Sequence, residues 1–162
     1  MSRSLARDCG FKRVFEYLFN REFSENTSET ENASLSSLEH FEHISQNLNN
    51  EEITKLDAEL FNENELSYEE LEFSKAILNA VKTNFTEINN KILGNLKKDL
   101  KLKDIYKLDL AILLVSIAEI DYLNEPIPLS INEAVRLAKK YSTEKSPSFI
   151  NGVLSSVYNK KN

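Results

Sequence analysis

The 162-residue sequence has little of what tight turns and covalent cross-links require: three Gly, three Pro, one Cys and no Trp. A β-sandwich or barrel needs turn residues every ~8–12 positions, and this composition excludes such folds. The single Cys9 excludes an internal disulfide and a four-thiolate zinc site. What remains is a helical protein. The 41% apolar and 28% charged residues predict that it folds as a globular unit.

Long apolar runs are missing as well. The longest, residues 108–120, is broken by charged and polar side chains and is shorter than the ~20 residues that a membrane span needs. Charged residues between Arg3 and Arg13 interrupt any apolar N-terminal stretch, so we expect no signal peptide. The expectation is one domain over residues 1–162, cytoplasmic and without a membrane partner.

Charge is distributed unevenly along the chain. Residues 1–21 carry a net charge of +3, residues 22–72 carry −14, and residues 73–162 carry +5. The overall charge of −6 therefore reflects one acidic segment rather than the whole surface. Because local charge decides polyanion binding, the acidic total does not exclude a nucleic-acid partner. Solvated helix faces explain any single cluster equally well.

Apolar residues recur at helical spacing through most of the chain. They predict helices over about residues 4–20, 67–85, 86–98, 104–122, 130–141 and 146–157. Two weaker patterns, at 38–48 and 53–60, lie in a polar, acidic loop or weak-helix segment at about 22–66. The predicted fold class is all-α, with about seven helices. Residues 104–122 are apolar on almost every side, which predicts the central buried helix.

Local signals predict where several helices begin. Three N-terminal caps are expected, at Ser67 with Glu70, at Ser130 with Glu133, and at Ser146 ahead of Pro147. Lys97 and Lys98 are expected to end the helix over 86–98, where cations suit the helix dipole. Pro126 and Pro128 predict an extended connection.

Candidate catalytic residues are sparse. The glycines at 10, 94 and 152 are too far apart to form a phosphate-binding loop. His40 and His43 are the only imidazoles, and without a third His or a Cys they are expected to be surface residues rather than metal ligands. Cys9 lies on an apolar helical stripe, as a core thiol does. We expect no catalysis, no cofactor and no metal.

One block of sequence, Ser130 to Leu154, stands out from this background. It contains an exposed loop that leads into Phe149 and then into Asn151 and Gly152. Glycine inside a helix costs ~1 kcal/mol relative to alanine, so Gly152 is predicted to permit close helix packing.

The same block resembles the C-terminal signature of the NusB family of bacterial transcription antitermination factors. The match comprises INEA at 131–134, AKKY at 138–141, TE at 143–144 and FINGVL at 149–154. Weaker matches lie within residues 108–119 and around Arg3 and Arg7. Together the resemblance covers about residues 3–20 and 68–157.

The resemblance implies an all-helical fold of two packed helical bundles and a function without catalysis. Such proteins bind the boxA element of leader and ribosomal RNA transcripts jointly with NusE, a protein of the small ribosomal subunit. The complex modifies RNA polymerase for antitermination. Cations neutralise phosphates, and an aromatic ring stacks on an unpaired base. RNA contacts are thereby predicted at Arg3, Arg7, Lys145, Ser146 and Phe149.

Alternatives stay open at this point. Phe149 at the start of an apolar helix is equally well explained as a core residue, and Lys12 and Arg13 match no family position. Departures from the family pattern remove positive charge, since Leu110 and Leu114 stand where relatives often carry Arg. The competing function is therefore a protein-interaction module that binds NusE or forms a homodimer, with RNA binding weak or lost. The acidic segment is a further candidate for repelling RNA.

Overall fold

The computed structural model describes residues 3–28 and 66–159, with side chains at 3–21 and 66–159. These residues form helices α1 (Ser4–Ser28), α2 (Tyr68–Thr83), α3 (Phe85–Leu93), α4 (Lys107–Tyr122), α5 (Ile127–Tyr141) and α6 (Ser146–Tyr158), with a 3-10 turn at Leu102–Asp104. The described ranges contain no strand, which confirms the all-α prediction. The weaker helices predicted at 38–48 and 53–60, together with both histidines, lie outside the described residues.

Helix α4 is the centre of the fold, as its sequence predicts. All residues from Leu108 to Glu119 are buried. Helices α1 and α2 pack against each other and against α4, while α5 packs on α6 and both contact α4. The short helix α3 lies beside α2, α4 and α6. Two groups of helices therefore share α4, and the buried apolar side chains of both groups form one continuous core.

Several helix ends differ from the predictions for identifiable reasons. Helix α1 continues to Ser28, because the sequence after residue 20 contains no Gly or Pro to stop it. Helix α3 ends at Leu93 rather than near Lys98. The Asn95 side-chain amide donates to the Lys91 carbonyl oxygen at 2.7 Å and satisfies one of the carbonyls left open at that end.

Caps were predicted correctly at one helix and wrongly at another. At α2 the Ser67 hydroxyl accepts the Glu70 N–H at 3.1 Å, and the Glu70 carboxylate accepts the Ser67 N–H at 3.2 Å. Helix α5 begins at Ile127 instead of Ser130, so Pro128 lies in its first turn, where a missing N–H costs nothing. The capping box predicted at Ser130 is therefore wrong, and Ser130 is a buried residue inside the helix.

Two glycines differ in what surrounds them. A Cβ atom added at Gly10 would lie 2.8 Å from Cδ1 of the buried Ile77, so Gly10 lets α1 approach α2 closely. A Cβ atom at Gly152 would meet nothing within 4 Å. The prediction that Gly152 permits close helix packing is therefore wrong, because this glycine faces open space.

Alanine substitutions at these two positions are expected to change stability in opposite directions. Gly152→Ala should raise the free energy of unfolding by up to ~1 kcal/mol, because alanine favours the helix and no atom opposes it. Gly10→Ala should lower it by ~1–3 kcal/mol, because the packed Ile77 side chain resists displacement. Urea unfolding of both variants measures the effects, and a Gly152→Ala variant less stable than wild type would contradict the assignment.

Candidate nucleic-acid interface

A buried polar network holds the turn between α5 and α6. The Ser142 hydroxyl donates to Asp109 Oδ1 of α4 at 2.5 Å, and the Ser142 and Ser146 hydroxyl oxygens are 2.8 Å apart. The Ser146 hydroxyl also accepts the backbone N–H of Thr143 at 3.1 Å. Burial raises the pKa of Asp109, while the hydrogen bonds from Ser142 and Ser146 oppose that rise. The network ties the turn to the central helix.

Ser146 is only 1% exposed, and it is the first residue of α6 rather than its cap. Lys145 occupies the cap position and is exposed. Since the Ser146 hydroxyl bonds to Ser142 and Thr143, it is engaged inside the protein. In this structure Ser146 holds the turn, and Lys145 is the residue that the turn presents to solvent.

Phe149 lines a surface cavity of about 730 Å³ beside this turn. The ring is half-buried and packs against the core, so it is at once a core residue and part of the cavity wall. Other lining residues come from α6, from the turn and from the segment after α3: Asn95, Leu96, Lys97, Leu100, Glu144, Lys145, Ser148, Gly152 and Val153. An apolar wall with lysines beside it suits an unpaired base and its neighbouring phosphates.

The N-terminal arginines lie at a different place, against carboxylates of α4 and of the turn after it. Arg7 is buried; its Nε donates to Glu119 Oε1 at 2.6 Å, and its Nη2 lies 3.6 Å from Glu125 Oε2. Arg3 also pairs with Glu125, but about half of its side chain is exposed. The Arg3 guanidinium carbon lies 4.5 Å from the centre of the Phe73 ring. Arg7 therefore ties α1 to α4 and offers no cation to solvent.

The predicted site residues thus separate into two groups. Lys145, Ser146 and Phe149 lie together at the start of α6, whereas Arg3 and Arg7 lie at the start of α1 with acidic partners. An RNA contact by Arg7 stays a prediction that this geometry does not favour. Burial raises the pKa of Glu119 to about 7, against the lowering effect of Arg7. Lys12 is mostly buried too and pairs with Glu16 at 3.6 Å.

A second basic surface was missed by the sequence reasoning. An open groove of about 780 Å³ between α5 and α6 is lined by Asn132, Val135, Arg136, Lys139, Lys140, Pro147, Ser148 and Asn151. The signal in the sequence was the spacing of Arg136, Lys139 and Lys140, which places three cations on one side of a helix. We refer to this surface below as the α5–α6 groove.

Two further kinds of site were sought in the described residues. None of their His, Cys, Asp and Glu side chains form a group able to hold a metal ion. Within the same ranges, no helix has both the length and the apolar character that crossing a membrane requires.

Sequence comparisons place this chain among known proteins. The model of the NusB family matches residues 6–159. A transcription antitermination protein NusB from Clostridium botulinum (strain Kyoto / Type A2) is 36% identical over 156 residues, which cover 95% of this chain and 97% of that protein. The NusB of Natranaerobius thermophilus is 30% identical over 163 residues, covering 100% of this chain and 98% of the relative.

Solved structures share the same fold. NusB of T. maritima superposes with a TM-score of 0.69 at 22% identity and covers 99% of this chain and 92% of its own. A structure of antitermination factors NusB and NusE in complex with dsRNA gives a TM-score of 0.64 at 22% identity, covering 97% and 96%. The chain therefore belongs to the NusB family, a family of non-enzymatic transcription antitermination factors.

Proposed function

We propose that this protein is an RNA-binding transcription antitermination factor. It binds single-stranded boxA-type RNA together with NusE and acts on RNA polymerase in the cytoplasm, including during ribosomal RNA transcription. The observation that carries the proposal is the cavity of about 730 Å³ that Phe149 lines together with Lys97 and Lys145. The ring supplies a stacking surface for a base, and the lysines neutralise adjacent phosphates.

Family relationship supports the choice of partners. The related complex contains NusB, NusE and dsRNA, and this chain has the same fold as the NusB in it. We favour a single strand at the Phe149 cavity, because the faces of paired bases are stacked inside a duplex and are closed to an aromatic side chain.

The five predicted residues take different roles in this proposal. Lys145 and Phe149 contact the RNA directly, and Ser146 holds the turn that carries them. Arg3 keeps about half of its side chain exposed and contributes a peripheral phosphate contact. Arg7 acts indirectly, by holding α1 on α4 through Glu119.

Fluorescence anisotropy of a short boxA-type RNA tests the proposal. Titrations with and without NusE over a salt series are expected to give binding that weakens as salt rises and tightens when NusE is present. For a single strand, the logarithm of affinity should fall by about 0.7 per neutralised phosphate for each tenfold rise in salt. Absence of RNA binding at low salt, with NusE present or absent, would refute the proposed function.

A second candidate function is a protein-interaction module that binds NusE or a second copy of itself. Burial of Arg7 favours it, and so do Leu110 and Leu114, which are buried at positions where relatives often carry Arg. Each of these residues removes one cation from a possible RNA surface. Capture of NusE on immobilised protein, combined with sedimentation analysis of the protein alone, tests this candidate. Partner binding or dimer formation without RNA binding would support it over the first.

A further inference from the structure

The α5–α6 groove has the composition of an anion-binding surface. It is lined by three cationic side chains and by polar groups of Asn132, Ser148 and Asn151, with no carboxylate in the lining. Its volume of about 780 Å³ is similar to that of the Phe149 cavity, but the groove is more open. An open basic surface suits an extended, flexible polyanion better than it suits an enclosed small molecule.

Acidic residues behind the groove hold two of its cations in place. Asp8 of α1 is buried and accepts Arg136 Nη2 at 2.6 Å and Lys140 Nζ at 3.1 Å. Arg136 Nε also donates to Glu133 at 2.6 Å. These bonds leave Nη1 of Arg136 unused, so the guanidinium is fixed while one face of it still offers donors.

Lys139 differs from these two residues. It is exposed on α5 and lies in the groove lining without an ion pair of its own. Because Asp8 and Glu133 offset the other two charges, Lys139 carries most of the uncompensated positive charge of the groove. It is therefore the side chain whose replacement reports most directly on a bound anion.

The groove meets the Phe149 cavity at the first turn of α6. Ser148 lines both surfaces, and Pro147 and Phe149 on either side of it line the groove and the cavity respectively. A strand that places a base against Phe149 and crosses this turn enters the groove directly. No large side chain stands at the crossing point, since Ser148 is small and exposed.

We propose that the α5–α6 groove binds the phosphates of the RNA strand whose base contacts Phe149, with Lys139 and Arg136 as the contacting cations. This inference rests on the proposed function and extends it. The RNA path runs across the N-terminal turn of α6 and continues along α5, away from the Phe149 cavity. The same path makes Ser148 a residue beneath the strand rather than a phosphate ligand.

The first test is the salt dependence of RNA binding by the full-length Lys139→Gln variant. We expect a single-stranded boxA-type RNA to bind about fivefold more weakly at low salt, and the salt slope to fall by about 0.7, the value for one lost phosphate contact. Lys139→Arg should restore both. Lys75→Gln is the matched control, because Lys75 is an exposed lysine on α2 outside the groove and should change neither.

The second test locates the contact on the RNA. Individual phosphates are replaced by neutral methylphosphonates, and each RNA is titrated with wild type and with Lys139→Gln. We expect one or two positions to weaken wild-type binding and to have no further effect in the variant, because the contact is already lost. Equal, additive losses at every position would overturn the groove assignment.

The outcomes separate this inference from the proposed function. If Phe149→Leu weakens RNA binding while Lys139→Gln behaves like Lys75→Gln, the groove inference is wrong and the Phe149 surface stands. If Lys139→Gln weakens binding and Phe149→Leu does not, a shared path is likewise refuted. If wild type binds no RNA at any salt concentration, the proposed function fails and the groove inference fails with it.

Discussion

Replacing Arg7 by Met is expected to lower the free energy of unfolding by about 3–5 kcal/mol at about pH 8. Arg7 is buried, and its Nε lies 2.6 Å from a carboxylate oxygen of the equally buried Glu119. Methionine keeps much of the side-chain volume but leaves an ionised carboxylate without its cation in the interior. Urea unfolding followed by circular dichroism measures the loss.

The pH dependence of that loss identifies its cause. Burial already raises the pKa of Glu119 from 4.5 to about 7, and the Arg7 cation is the largest influence that lowers it. The folded state therefore binds more protons than the unfolded state between these values, and this contribution to stability falls as pH rises from about 4.5 to 7. Removing Arg7 raises the pKa of Glu119 further. The Arg7→Met penalty should be smaller at pH 5 than at pH 8, with values chosen as about two units apart on either side of the transition.

Two variants serve as controls for the Arg7 experiment. Arg3→Met removes a half-exposed arginine that also pairs with Glu125, and it should cost less than about 1 kcal/mol. Arg7→Met combined with Glu119→Gln should recover much of the loss, because the uncompensated buried charge is gone. A pH-independent penalty that the double variant does not relieve would mean that packing, rather than charge, is what Arg7 supplies.

Phe149→Leu is expected to weaken binding of single-stranded RNA by about tenfold or more. Leucine retains most of the apolar contact with the core but has no ring face on which a base can stack. The KD from anisotropy titrations at fixed salt measures the effect. Because the contact is stacking rather than charge, the salt slope should stay close to that of wild type, unlike the slope of Lys139→Gln.

Phe85→Leu is the matched control for this variant. Phe85 is another half-buried phenylalanine that packs on the core, but it lies at the start of α3 against Tyr17 and Arg21. Both leucine variants should lose similar stability, and only Phe149→Leu should lose RNA affinity. Equal RNA affinities for the two variants would assign Phe149 to the core alone.

Helical periodicity was sufficient to locate the six helices of the described ranges. Spacing of apolar residues is a local property, and α4 is apolar all round because it is surrounded on every side. Helix ends were less predictable. Pro128 in the first turn of α5 and the Asn95 side chain beyond α3 each act through a backbone geometry that spacing does not encode.

The candidate site was predicted in part. Lys145 and Phe149 came from the resemblance of residues 130–154 to a known family, and the structure brings both to one cavity. The same reasoning treated Arg3 and Arg7 alike, although one is half-exposed and the other buried. Residue type alone did not distinguish them, because the partners of Arg7 are Glu119 and Glu125, more than a hundred positions along the chain.

By itself, the sequence determined the helical class, the central place of α4 and the segment that carries the family signature, because each depends on neighbouring residues. Only the tertiary structure decided which cations face solvent. Burial of Arg7 and Ser146 depends on α1, α4 and α5 coming together, and so does the position of Asp8 behind Arg136 and Lys140. The α5–α6 groove likewise exists only once the two helices pack, since each of them contributes one of its walls.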